Sequence, residues 1–211
     1  MRVERGKTTR ERLITAGFEL FGRHGYEATS VSTLLETTGL ARGAFYHHFA
    51  TKAELFDAVL DRVIGEIAEA SADAARKFDD PVESLRAGCT TWLDHTVDPV
   101  IQRIVMLEAT AVVGWDRCRQ LDELHTLGRT KATLRRIART GRLPEENVDM
   151  LAHMVLAAVG EAAMLIARAA DKQAARRTGQ AALDTLLNRL VTPSPAEGPA
   201  PSPPREPRTP A

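Results

Sequence analysis

The stretch Gly39-Leu40-Ala41-Arg42-Gly43-Ala44-Phe45-Tyr46-His47-His48-Phe49, with Thr29-Ser30-Val31 before it and Thr51-Lys52 after it, decides how this chain folds. Ser30 is placed to cap a short helix whose inward face is Val31, Leu34 and Leu35. Gly39 ends that helix, because it adopts a left-handed turn at little cost. A second short helix then spans roughly Arg42 to Phe49. Thr51 and Glu54 form a capping box that opens a longer helix through Leu55, Val59, Val63 and Ile67 to about Lys77. Two short helices joined by a glycine turn make a helix-turn-helix, whose second helix can enter the major groove of DNA.

The rest of the chain reads as helix too. Its 211 residues are enough for one or two domains, and only 5% are aromatic. Apolar residues recur at helical spacing nearly throughout, which predicts an all-α protein. Upstream, a helix is expected from about Thr9 to His24, with a Thr8–Glu11 capping box, a Leu13, Ile14, Gly17, Phe18, Phe21 stripe and Gly25 as the stop. Downstream, helices are expected near 81–96, 99–114, 117–140, 145–170 and 174–191, with Pro81, Pro99 and Pro144 at their starts. The reading thus divides the chain into a DNA-binding unit over 1–52, a helical ligand-binding and dimerisation unit over 53–192, and a tail over 193–211. Eight of the eleven prolines fall in that tail, which has almost no large apolar side chain and is expected to be disordered, with PxxP spacings such as Pro201 to Pro204.

Charge excludes some functions. The 28 basic and 28 acidic residues cancel, so no global field draws the chain to nucleic acid or anionic lipid. DNA affinity must come from a local arrangement. No signal segment is expected, because the N-terminus is charged, and the expected location is the cytoplasm. Met150 to Ala170 is apolar but carries His153, Glu161 and Arg168, which points to a bundle helix and not a membrane span. Cys89 and Cys118 form no zinc pattern and read as buried thiols. No cofactor or metal is expected, since the adjacent His47 and His48 diverge on a helix.

The second short helix has an unusual outer face. With Phe45 buried, a turn of about 100° per residue puts Ala41 and Phe49 beside it. Gly43 and His47 then lie opposite, flanked by Ala44 and Tyr46. A face meant only for water would carry better helix formers, and an interior glycine costs about 1 kcal/mol relative to alanine. Close approach to a groove wall is a physical reason for both. Tyr46 and His47 suit phosphate oxygens or base edges, and Arg42 can reach a phosphate or a guanine. His48 sits on the flank, equally readable as a packed histidine. Lys52 lies in the first turn of the next helix, where the helix dipole disfavours cations, so it reads as a phosphate clamp. Thr29 and Ser30 read as caps whose hydroxyls also reach a phosphate.

The run Phe21-Gly22-Arg23-His24-Gly25-Tyr26-Glu27-Ala28-Thr29-Ser30-Val31, the segment from Gly39 to Phe49 and Lys52-Ala53-Glu54-Leu55 together resemble the TetR family of bacterial transcriptional regulators. The resemblance covers roughly residues 9 to 60. It implies an all-helical homodimer with an N-terminal DNA-binding domain. It further implies a C-terminal domain that binds a small molecule and pairs through its last two long helices. Most members of the family are repressors released by their ligand. Ala41 stands where the family often has a capping serine, and Ala44 where it often has a hydroxyl residue.

On that reading the partners are a palindromic double-stranded operator, a second copy of the chain and a small-molecule effector, with no membrane. The helix near 145–170 is rich in small residues (Ala157, Ala158, Gly160, Ala162, Ala163, Ala167), and the last helix shows Leu183, Leu186, Leu187 and Leu190. Both suit a helix–helix interface between two chains, or packing within one. Candidates for the effector site are Trp92, His95, Met106, Trp115, His125, Met150, His153, Met154 and Glu161, with Glu108 and Met164 beside them. Two rival readings stand. One is an enzyme in a helical bundle, for which His95, His153 and Glu161 are loose candidates and no nucleophile–base pair, and hence no catalytic residue, is visible. The other is a helical interaction protein that never touches DNA.

Overall fold

The computed structural model describes residues 2–191, with side chains from Thr8 onward. The expectations for the tail lie outside these residues. Nine helices and no strand occur among the described residues. We number them α1 (Arg2–His24), α2 (Val31–Thr38), α3 (Arg42–His48), α4 (Lys52–Ala75) and α5 (Pro81–His95). Helix α6 runs from Pro99–Ile101 through a π-helical stretch, Gln102–Glu108, to Ala109–Val113. Helix α7 runs likewise from Trp115–Asp122 through Glu123–Leu127 to Gly128–Arg139. A 3-10 turn, Glu145–Asn147, leads into α8 (Val148–Arg168), and α9 is Lys172–Leu190.

One expectation fails at the start. Thr8 lies inside α1, which continues back to Arg2, so the Thr8–Glu11 pair is no capping box. A Thr-x-x-Glu spacing is tolerated mid-helix, and Arg10, Glu11 and Arg12 are good helix formers that do not stop propagation. The second box is real. Thr51 accepts a hydrogen bond from the Glu54 amide (3.1 Å), and the Glu54 carboxylate accepts the Ala50 amide (2.7 Å).

Helices α1, α2, α3 and the first half of α4 share one core. Leu13, Phe21, Leu34, Phe45, Leu55, Phe56 and Leu60 are all fully buried in it. The rings of Phe21, Tyr26 and Phe56 meet with centroids 5.3 to 5.8 Å apart. Burying one such phenylalanine contributes about 1.5–3 kcal/mol, so three of them dominate a unit this small. The division expected after residue 52 falls at the first residue of α4, whose Val59 and Val63 still belong to this core. Ile104 and Ala109 of α6 and Leu121 of α7 enter it from the other side.

The second core joins α5, α7, α8 and α9 through Leu93, Leu134, Ile137, Ala152, Ala163, Leu183 and Leu187. Between the cores, α4 and α7 are laced by two ion pairs and a histidine–carboxylate hydrogen bond. Arg117 grips Asp57 with two bonds (2.7 and 3.0 Å), His125 meets Asp61 (2.6 Å), and Arg129 meets Glu69. Each such partly exposed pair is worth about 0–1 kcal/mol, so together they fix register more than stability.

Candidate nucleic-acid interface and effector cavity

Helix α3 is held from behind and open in front. Phe45 is fully buried, Phe49 nearly so, and Gly39 makes the turn into the helix at φ 64°. Arg12 of α1 donates to the Thr38 carbonyl (2.5 Å) and ties the end of α2 down. Arg42, Gly43, Tyr46 and His47 are exposed, and Ala44 is half-buried. The Arg42 guanidinium lies 5.6 Å from the Tyr46 ring centroid, so both side chains are carried on one surface. No heavy atom lies within 4 Å of where a Gly43 side chain would begin, so packing inside the chain does not explain that glycine. His48 is half-buried, and burial pushes its pKa below the ordinary value, with His47 and Arg10 adding to the shift.

Two expected contacts change character. Thr29 is buried, and its hydroxyl donates to the Gly25 carbonyl (2.8 Å). It braces the loop and has no donor left for a phosphate; Ser30 alone caps α2, accepting from the Thr33 amide (3.0 Å). The Lys52 ammonium donates to the Tyr26 carbonyl (2.7 Å) and lies 4.0 Å from the Tyr26 ring centroid. A cation in the first turn of α4 therefore has an internal partner, and a phosphate is not its only explanation.

Tyr26 is also the point where the head meets the body. Its amide donates to the Glu108 carboxylate of α6 (2.9 Å), and Arg103 of α6 donates to the Arg23 carbonyl (3.3 Å). At Gly22 the approach of α6 is closer still. A β-carbon there would stand 2.2 Å from Val100, so only glycine allows α1 and α6 to touch.

The opposite face of α6 lines a cavity. Helices α4 to α8 enclose a space of about 180 Å³ bounded by Ile64, Trp92, Val105, Met106, Ala109, Thr110, Cys118, Asp122, Thr126, Leu156, Val159 and Gly160. An adjoining space of about 100 Å³ shares Trp92, Thr126, Leu156 and Val159 and extends to Ser71, Ser84 and Cys89. The walls are mostly apolar with a few polar groups, as small-molecule sites are. Burial raises the pKa of the Asp122 carboxyl, with Arg119 pulling it back and Glu123 pushing it further. Burial pushes the Cys89 thiol up to about 12 and raises Cys118 as well.

Of the residues expected at the effector site, Trp92 and Met106 stand in the wall. The others do not. Trp115, Met150, Met154 and Glu161 are exposed, His125 is turned to Asp61, and His153 meets Arg119 (2.9 Å). His95 and Met164 are half-buried outside both walls, and Glu108 faces Tyr26. Those choices followed residue type, whereas the π turns decide which face looks inward. The residues missed, chiefly Thr110, Cys118, Asp122 and Thr126, carry one usable signal: 118, 122 and 126 recur every four residues on one helix face.

A helix-turn-helix head buttressed by a helical body with an internal cavity defines a ligand-responsive DNA-binding regulator. The model for bacterial regulatory proteins of the tetR family matches residues 13–59, and that for the tetracyclin repressor-like C-terminal domain matches residues 82–190. The chain belongs to the TetR family of bacterial transcriptional regulators, which are DNA-binding proteins and not enzymes. It is similar to the Transposon Tn10 TetC protein of Escherichia coli, 23% identical over 152 residues, covering 72% of this chain and 77% of that one. The crystal structure of a TetR-family transcriptional regulator from Pectobacterium atrosepticum superposes with a TM-score of 0.79 at 31% identity, covering 92% of this chain and 99% of that chain. RolR in complex with resorcinol has the same fold, with a TM-score of 0.69 at 20% identity, covering 89% of this chain and 90% of that one. Members of the family bind DNA and act as dimers with small-molecule ligands.

Proposed function

We propose that this chain is a homodimeric repressor that reads a palindromic operator with α3 and leaves it when a small molecule fills the cavity. One observation carries the reading: α6 lines the cavity with Val105 and Met106 and, on its other side, holds the head at Tyr26 through Glu108. An effector that binds one position of α6 better than the other shifts the whole population toward that position. The neighbouring structure of RolR with resorcinol supports a ligand of one-ring size. Arg42, Gly43, Ala44, Tyr46 and His47 form the reading surface, Ser30 and Lys52 flank it, and His48 supports it from the side.

The dimer face we assign is the outer side of α8 and α9. Met150, Met154 and Leu165 are more than half exposed on α8, and Leu186 is exposed on α9. Leu183 and Leu187 point inward, so the leucine stripe divides between the two tasks. A two-fold pair would bury this apolar strip and set two α3 helices on successive half-sites.

The test is binding to duplex DNA from upstream of its own gene against random duplex, at several salt concentrations. Specific binding should exceed random binding by at least a thousandfold. Tyr46→Ala should weaken it about tenfold or more at unchanged thermal stability. Equal affinity for both duplexes would refute operator reading.

A further inference from the structure

The cavity has one polar group whose capacity the protein leaves unused. Asp122 stands in the wall of the larger space, and its carboxylate accepts no hydrogen bond from any described residue. The nearest cation, Arg119, approaches only to 3.7 Å. That guanidinium is engaged elsewhere, with an amino group on His153 (2.9 Å) and its centre 5.7 Å from the Trp115 ring centroid. The other hydroxyls are largely occupied: Thr126 donates to the Asp122 carbonyl (2.8 Å) and Ser84 to the Ala75 carbonyl (2.9 Å).

The smaller space repeats the pattern. Ser71 Oγ is buried there with no hydrogen-bond partner among the described residues. Ser71 lies seven residues beyond Ile64 on α4, about 10 Å along the helix axis. A buried polar group left unmet costs about 1–3 kcal/mol, so Ser71 marks a place for a polar atom of a guest. The Asp122 side chain, 37% exposed in the wall of the larger space, offers a second. An ionised carboxylate only accepts hydrogen bonds and attracts positive charge. The larger space exceeds a cavity of about 150 Å³ that accommodates benzene.

We infer that the effector is a molecule of one-ring size whose ring packs on Trp92, Leu156 and Val159 and whose hydrogen-bond donor, a hydroxyl or an ammonium, is received by Asp122. Anionic molecules of the same size are rejected, because a second carboxylate beside Asp122 meets only Arg119, whose guanidinium is already divided between Asp122 and His153. The inference rests on the cavity being the effector site.

Four probes of matched size test it by calorimetry on the full chain: 2-phenylethylamine, 4-ethylphenol, ethylbenzene and phenylacetate. The amine and the phenol should bind, ethylbenzene at least tenfold more weakly, and phenylacetate not at all. Asp122→Asn should weaken the amine at least tenfold, weaken the phenol less because the amide carbonyl still accepts, and leave ethylbenzene unchanged. Phenylacetate binding as tightly as the amine, no change in amine binding with Asp122→Asn, or no binding by any probe would each overturn the assignment.

Gly160→Leu separates this failure from failure of the cavity itself. Its new side chain starts from the cavity wall with no atom of a neighbouring element within 4 Å, so the variant should fold and fill the space, with circular dichroism checking the fold. Loss of amine binding in that variant confirms the location. Undiminished amine binding there would refute the cavity as the site. Donor-selective binding that leaves operator affinity unchanged would refute release from DNA while sustaining the ligand chemistry.

Discussion

The head over residues 30–51 keeps its shape by local devices: the Ser30 cap, the left-handed Gly39 and the Thr51–Glu54 box. The body over residues 99–139 has few such devices and two π-helical stretches, and is shaped by what packs against it. The difference separates two ways of being functional. A surface that must present fixed side chains to a rigid duplex is specified residue by residue. A chamber that must respond to a guest is bounded by helices with less regular hydrogen bonding, which can change register at lower cost.

The largest expected effect strikes the head. Phe45→Ala removes a fully buried ring and should cost about 3–5 kcal/mol, enough to unfold α3 against α1 and α4. Denaturant unfolding followed by tryptophan fluorescence, which reports only on the body's Trp92 and Trp115, should then show an early transition by circular dichroism that fluorescence misses. One coincident transition for both probes would show that the two regions melt as a unit.

Next comes the seam. Gly22→Ala drives a β-carbon into Val100 and should cost about 1–3 kcal/mol by overpacking, since the valine is stiff. Val100→Ala in the same chain should recover most of the loss in melting temperature. No recovery would mean that α1 and α6 are not pressed together there.

A smaller gain is expected at Ala41, the N-cap of α3, which makes no side-chain cap bond. Ala41→Ser should stabilise the head by about 1 kcal/mol, read from the urea midpoint. A further effect, read only at alkaline pH, concerns the body. Burial raises the Cys89 pKa to about 12, above its unfolded value, so the thiol stabilises the folded state below the unfolded pKa and loses that contribution as pH rises through the folded one. Between pH 9 and pH 11 the fall in stability should be shallower for Cys89→Ala than for the parent chain, and Cys89 should resist iodoacetamide at neutral pH. Equal slopes would contradict its burial.

The same contrast explains what could be read in advance. Helix α3, the Ser30 cap of α2 and the box at Thr51 were legible because each is encoded within four residues of itself. So were the bounds of α4, α5 and α9, where Pro81 and a change of apolar period mark the ends. The placement of Thr110 in the cavity was not. A π turn adds one residue to a helical turn, so the face inferred from apolar spacing before residue 102 or 123 no longer holds after it. The internal bonds of Thr29 and Lys52 were hidden for another reason: their partners, at Gly25 and Tyr26, are backbone carbonyls, which no side-chain pattern reveals.

The π stretch at Gln102–Glu108 bears on how this chain is compared with its relatives. An extra residue taken up by a loop leaves a visible bulge, but one absorbed inside a helix leaves the ends where they were. Aligned to a relative whose α6 is regular, this chain carries its insertion mid-helix, where alignments rarely open a gap. Residues from Ala109 to Val113 would then be paired one position out of step, and inferences about Ala109 and Thr110 would be borrowed from the wrong neighbours.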